Sequence, residues 1–159
     1  MPLTSKIANL ELLPNTALAA NQTQNFGPIS YSYSGSKGVL SLITINLSAS
    51  NSSIYLEPLK IDLSVDGQTN RFVMAANNDG WEQKSYNPSS FTNHFYIQGI
   101  ASEVDLVITN PCSLHVRLLL KLPFANSFSM TFSGTLKNAS SSTPYSSLLT
   151  ATVVYLIPA

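Results

Sequence analysis

The chain has 159 residues, with 8 basic against 8 acidic side chains, two His, one Cys and only 10% charged residues, which suits one domain of ordinary size. Zero net charge and only two Arg remove the long-range attraction and the bidentate forks that grip phosphate, so direct nucleic-acid binding is not expected. A single Cys excludes an internal disulfide framework and any thiolate zinc cluster.

Neutral polarity takes the place of charge: 24 Ser, 12 Thr and 14 Asn make up close to a third of the chain. The 44% of hydrophobic residues suffices to bury about two-thirds of the unfolded surface, so intrinsic disorder is excluded.

Residues 1–25 mix Leu3, Ile7, Leu10, Leu12, Leu13 and Leu18 with Pro2, Pro14 and four Asn, and sustain neither a strand nor a helix period. They read as an extended N-terminal arm, with the six aliphatic residues lying against their own domain or against a neighbouring subunit. Asn9, Glu11 and Pro14 also break up the apolar run that a secretory leader needs. The remainder, 26–159, reads as a single β-sandwich domain.

Within it alternation is nearly continuous. After a candidate strand at 28–34, Val39, Ile43, Ile45 and Leu47 share a face; Leu59, Ile61, Leu63 and Val65 alternate with Lys60, Asp62, Ser64 and Asp66. Candidates at 70–75 and 93–98 follow. Val104, Leu106 and Ile108 then oppose Glu103, Asp105 and Thr109, and Leu114, Val116, Leu118, Leu120 and Leu122 oppose Ser113, His115, Arg117 and Lys121. Phe128, Met130 and Phe132 alternate with serines and a threonine, and 147–157 carries Leu149, Ala151, Val153, Tyr155 and Ile157 on one side. Turn formers separate these runs at Gly35-Ser36-Lys37-Gly38, Asp66-Gly67, Asn77-Asn78-Asp79-Gly80, Asn110-Pro111 and Asn138 to Pro144. The longest apolar run, Val153 to Pro158, is far shorter than the roughly 20 residues of a spanning helix, so no transmembrane segment is expected.

Many short strands without helical crossovers predict an all-β, antiparallel two-sheet sandwich of jelly-roll size. An immunoglobulin-like sandwich is the alternative, although the sequence lacks the paired Cys flanking a Trp, and Trp81 falls in a predicted loop.

Catalytic equipment is sparse. His115 falls on the polar side of its strand, His94 sits beside Phe95, and Cys112 follows Asn110-Pro111. No nucleophile elbow, phosphate loop or metal-binding helix motif is present, so the chain is not expected to be an enzyme or to carry a cofactor or metal. The most ligand-like stretch runs from Asn77 to Phe91. It sets Trp81, Tyr86 and Phe91 among Asn, Ser and Asp, a mixture that suits either a subunit contact or a glycan. Four N-glycosylation sequons start at Asn21, Asn46, Asn51 and Asn138.

One sandwich of this length, a leucine-bearing arm, no catalytic set and a Ser/Thr/Asn-rich surface together resemble the single jelly-roll capsid proteins of viruses. The resemblance is architectural and covers 26–158. It implies a self-assembling virion subunit whose partners are copies of itself and other virion proteins. The first 25 residues hold only Lys6 and Glu11 as charges, so they lack the basic arm of capsid proteins that condense RNA. The low charge also resembles virion and filament proteins of hot-acid archaea, which implies an archaeal virus. Two other functions stay open: a carbohydrate- or receptor-binding module, and an extracellular filament subunit that donates its N-terminal strand.

Overall fold

The structure is a computed structural model that describes residues 2–49, 54–77, 96–98, 103–109 and 113–159. Its strands are β1 (Leu3–Leu18), β2 (Thr23–Ser34), β3 (Gly38–Ala49), β4 (Ile54–Val65), β5 (Gln68–Asn77), β6 (Tyr96–Gln98), β7 (Glu103–Thr109), β8 (Ser113–Phe124), β9 (Ser127–Asn138) and β10 (Tyr145–Pro158). They form two antiparallel five-stranded sheets, β1-β10-β3-β8-β7 and β2-β9-β4-β5-β6, called sheet A and sheet B below.

The pairing is nested: β1 with β10, β2 with β9, β3 with β8 and β4 with β5. Successive pairs fall in alternate sheets, as when one long hairpin is rolled over on itself. That is a jelly roll. An immunoglobulin-like sandwich keeps its first two strands in one sheet, whereas β1 and β2 lie in different sheets. The extra strands β6 and β7 each widen one sheet at its edge.

The alternating apolar residues meet between the sheets. Ile43, Ile45 and Leu47 of β3 and Leu149, Ala151 and Val153 of β10 face Leu59, Ile61 and Leu63 of β4 and Phe128, Met130 and Phe132 of β9, all at most 1% exposed. A register shift between Leu40 and Leu42 accommodates Ser41 as an extra residue on β3, which reverses the alternation there. Leu40 therefore enters the core, and Val39 passes to the outer face with Leu42. At the same end Tyr33, Phe124, Phe128 and Tyr155 pack edge-on or tilted, with ring centroids 5.1 to 6.0 Å apart for the pairs in contact. The Tyr31 and Tyr155 hydroxyls share a 2.7 Å hydrogen bond. Burial, with that bond second, pushes the Tyr155 phenol up to about 12.

The expected arm is corrected by this structure. Residues 3–18 are the outer strand of sheet A, paired with β10 from Leu3↔Pro158 to Leu18↔Tyr145. Leu12, Leu13 and Leu18 are buried in the core of their own sandwich, and Leu10 packs against it. Leu3 and Ile7 point the other way, at 52% and 64% exposure. The strand escaped the alternation pattern because β1 shifts register twice, after Glu11 and after Leu13, so its apolar residues occupy both parities.

Truncating Leu18 to Ala is expected to cost about 2–5 kcal/mol, the range for a fully buried leucine, read as a lowered midpoint in denaturant unfolding. A free arm would give no change.

Candidate functional site

Among the described residues no cluster of three or more His, Cys, Asp or Glu is placed to hold a metal. Trp81, Tyr86, Phe91, His94, Cys112 and Asn51 lie outside the described residues. His115 stands in β8 opposite Asn46 of β3 and Val107 of β7. One shallow depression lies along β1 and β10, lined by Asn9, Leu10, Glu11, Thr150, Ala151 and Thr152. It is open to solvent, and Thr152 Oγ1 spans its strands by donating to Asn9 Oδ1 at 3.0 Å.

The informative geometry is on the outer faces. Strand register aligns outward positions into rows across sheet A. One row is Ser5, Leu156, Val39 and Pro123, and the next is Ile7, Val154, Leu42 and Leu119. Only Ser5 is polar among these eight positions; on β7 the second row meets Glu103 in register with Leu119, and the exposed Lys121 lies between Leu119 and Pro123 on β8. The following rows change character to Asn9, Thr152, Thr44, Arg117 and then Glu11, Thr150 and Asn46. Sheet A is thus apolar over one half of its outer face and polar over the other.

Sheet B presents hydroxyls instead. Ser30, Thr131, Asp62 and Arg71 form one row and Ser32, Ser129, Ser64 and Thr69 the next. Ser30 and Thr131 share a 2.9 Å hydrogen bond across strands. Arg71 grips Asp62 with two hydrogen bonds of 2.6 and 3.1 Å, which holds the Asp62 carboxyl below its ordinary value, but the pair is exposed and adds little to stability.

Polar anchors fasten the two ends of the roll. The β4–β5 hairpin turns through Asp66 and Gly67, both at positive φ (49° and 87°), the backbone of a two-residue type I′ turn. This aims the Asp66 carboxylate at the β8–β9 turn, where it accepts the backbone N–H groups of Ala125, Asn126 and Ser127 at 2.8, 2.9 and 3.2 Å. Those three bonds hold its carboxyl below the usual range. At the opposite end the fully buried Asn138 donates Nδ2 to Leu18 O (3.0 Å) and Thr143 O (2.9 Å) and accepts from Ser140 N (2.9 Å), tying β1, β9 and the 139–144 loop together.

Asn138 as a glycan acceptor is corrected by this geometry: its amide nitrogen is enclosed and has both hydrogens engaged. Asn21 is exposed in the β1–β2 turn at φ 61°, and Asn46 is half-buried on the outer face of sheet A. The expected assembly residues also separate. Leu3 and Ile7 border the apolar rows, while Leu12, Leu13 and Leu18 serve the core. The apolar half-face itself was missed in the sequence, since it mixes residues of four strands and depends on the Ser41 shift.

No protein-family model matches the chain, and no curated protein matches it. Among solved structures, "Structure of infectious bursal disease virus Gx strain" is similar at 12% identity over 96% of this chain and 40% of that one, with a TM-score of 0.28. "Structure of infectious bursal disease virus Gt strain" is similar at 12% identity over 98% and 42%, with a TM-score of 0.25. The chain therefore spans about 40% of the length of the structures it matches. The jelly-roll assignment stands on the strand pairing alone.

Two outcomes follow from the anchors. Replacing Asn138 with Ala strands Leu18 O, Thr143 O and Ser140 N, and is expected to cost about 1–3 kcal/mol in denaturant unfolding. Asp66 has a folded value lowered from 3.8, so its contribution is complete above that ordinary value and is lost as pH falls through the folded one. Thermal melts of Asp66→Asn should therefore lie below wild type at pH 7 and converge with it as pH falls through that lowered value.

Proposed function

We propose that this jelly roll is a non-enzymatic, self-assembling shell subunit of a virion. The observation that carries the reading is the apolar half of the outer face of sheet A across β1, β10, β3 and β8, with Ile7 and Leu3 at its edge. Exposed apolar surface on a folded domain marks a contact site when it is contiguous, and here two adjacent rows run across four strands. A patch made chiefly of apolar side chains meets a copy of itself with little like-charge repulsion, which suits repeated identical contacts. The hydroxyl-lined face of sheet B is suited to the solvated side of such a shell.

Zero net charge and only two Arg among these 159 residues support a shell that leaves contact with the genome to other components. Its partners in this reading are copies of itself and other virion proteins, and its location is the particle. With only 10% charged residues little is lost to protonation, which within this reading favours an acid-exposed particle such as that of an archaeal virus.

The test is sedimentation velocity and negative-stain microscopy of the purified chain over a concentration series. Discrete assemblies are expected, and Leu42→Lys should weaken association by about 2 kcal/mol, the scale of an interface anchor, without lowering the melting temperature. A wild-type chain that stays monomeric at every concentration overturns the proposal.

A further inference from the structure

We propose that two copies of this chain join through β1, residues 3–11 of one running antiparallel to residues 3–11 of the other about a two-fold axis at Ile7, which merges two five-stranded sheets into one. This inference rests on the self-assembly reading and adds the place and register of one contact.

A sheet edge carries a row of backbone donors and acceptors that another strand can pair, and folded proteins usually interrupt it. β1 and β7 are the outer strands of sheet A, and β2 and β6 those of sheet B. β2 is interrupted by the register shift between Phe26 and Ile29, where Gly27 turns at φ 82°; β6 has three residues and β7 seven. On β1 the ladder to β10 runs from Leu3 to Glu11 with no shift and no proline, and both irregularities come later. Its first half is thus the longest regular edge among the described residues.

The midpoint of that regular stretch is Ile7, and Ile7 is also the more exposed of the two large hydrophobic residues left open among the described residues, at 64% against 52% for Leu3. Centring a two-fold pair there uses the whole regular stretch and sets the two Ile7 side chains against each other. Lys6 then faces a second copy's Ala8, and Glu11 faces a second copy's Leu3, so no like charges meet. Moving the centre one residue back would oppose two Lys6 ammonium groups, and moving it forward runs the pairing into the shift after Glu11. The same register continues the row of Ile7, Val154, Leu42 and Leu119 from one sheet into the other. A second copy is the partner that presents an edge of this length and sequence, and a two-fold contact is the closed way to use it.

The full chain in a Cys112→Ser background provides the test. Under oxidation, or with a short bis-maleimide, Ile7→Cys is expected to form a covalent dimer and Glu11→Cys is not. Leu3→Cys protein mixed with Glu11→Cys protein should cross-link, because residue 3 faces residue 11. Ile7→Lys should weaken dimer formation at least about tenfold in sedimentation velocity with an unchanged melting temperature. Should Lys disturb the strand, Ile7→Thr keeps a β-branched residue and serves as the second variant. Wild type that associates while Ile7→Cys stays uncross-linked and both Ile7 variants associate normally overturns the edge contact and leaves self-assembly standing. Wild type that is monomeric throughout overturns both.

Discussion

The whole architecture hangs on the pairing of the first strand with the last. β1 and β10 are joined along their length, from Leu3↔Pro158 to Leu18↔Tyr145, and this is the outermost turn of a nested set that ends in the β4–β5 hairpin. Each inner pair is positioned by the one that encloses it, so no sheet can be completed until distant parts of the chain meet. The loop-closure entropy of such non-local pairing has to be met by burial between the sheets. That burial is supplied where alternation is strictest, on β3, β4, β9 and β10, whose inward side chains are almost wholly shielded from water. β1 contributes Leu12, Leu13 and Leu18 to the same core, so the closing strand is held by packing as well as by its ladder.

Much of this was legible in the sequence, and the exceptions have physical causes. Leu59, Ile61 and Leu63, like Phe128, Met130 and Phe132, alternate without interruption because their strands run regularly there, and period alone assigns their faces. Asp66-Gly67 announced a hairpin because only such residues take two successive positive φ angles cheaply. β1 was hidden by its irregularities: Ala8 and Leu10 share one parity, Leu3 and Ile7 the other, and each register shift moves the pattern again. Ser41 has the same effect on β3, where Leu40 rather than Val39 enters the core. A bulge is a property of pairing, and a one-dimensional reading of period carries no record of it.

The polar side chains that matter structurally were the least legible. Asn138 reads as one asparagine among fourteen at the start of a turn cluster, and nothing local distinguishes it from a glycosylation acceptor. Its role arises because Leu18 O, from 120 residues away in sequence, arrives at its amide. Asp66 likewise looks like a solvated turn residue until the β8–β9 turn brings three N–H groups to its carboxylate. In a chain with so few charges, both ends of the roll are fastened by hydrogen bonds from short polar side chains to backbone, which require no second charged partner. The Ser/Thr/Asn-rich composition thus serves a structural purpose beyond surface hydration.

That economy of charge also explains how the two outer faces come to differ. Hydroxyls and the Asp62–Arg71 pair line the rows through Ser30 and Ser32 on sheet B, while across β1, β10, β3 and β8 the rows through Ile7 and Leu156 on sheet A hold, apart from Ser5, only apolar residues. An edge strand beside such rows would ordinarily be guarded by proline, a bulge or outward charge. The register shifts of β1 fall in its second half, around Leu12, Leu13 and Pro14, where it contributes to the core, while its first half carries only Lys6 and Glu11 as exposed charges. In its first half the regular ladder and the open apolar side chains coincide. The ladder to β10 closes the fold, but the core is complete without the Leu3 and Ile7 side chains, which a contact between identical sheets uses.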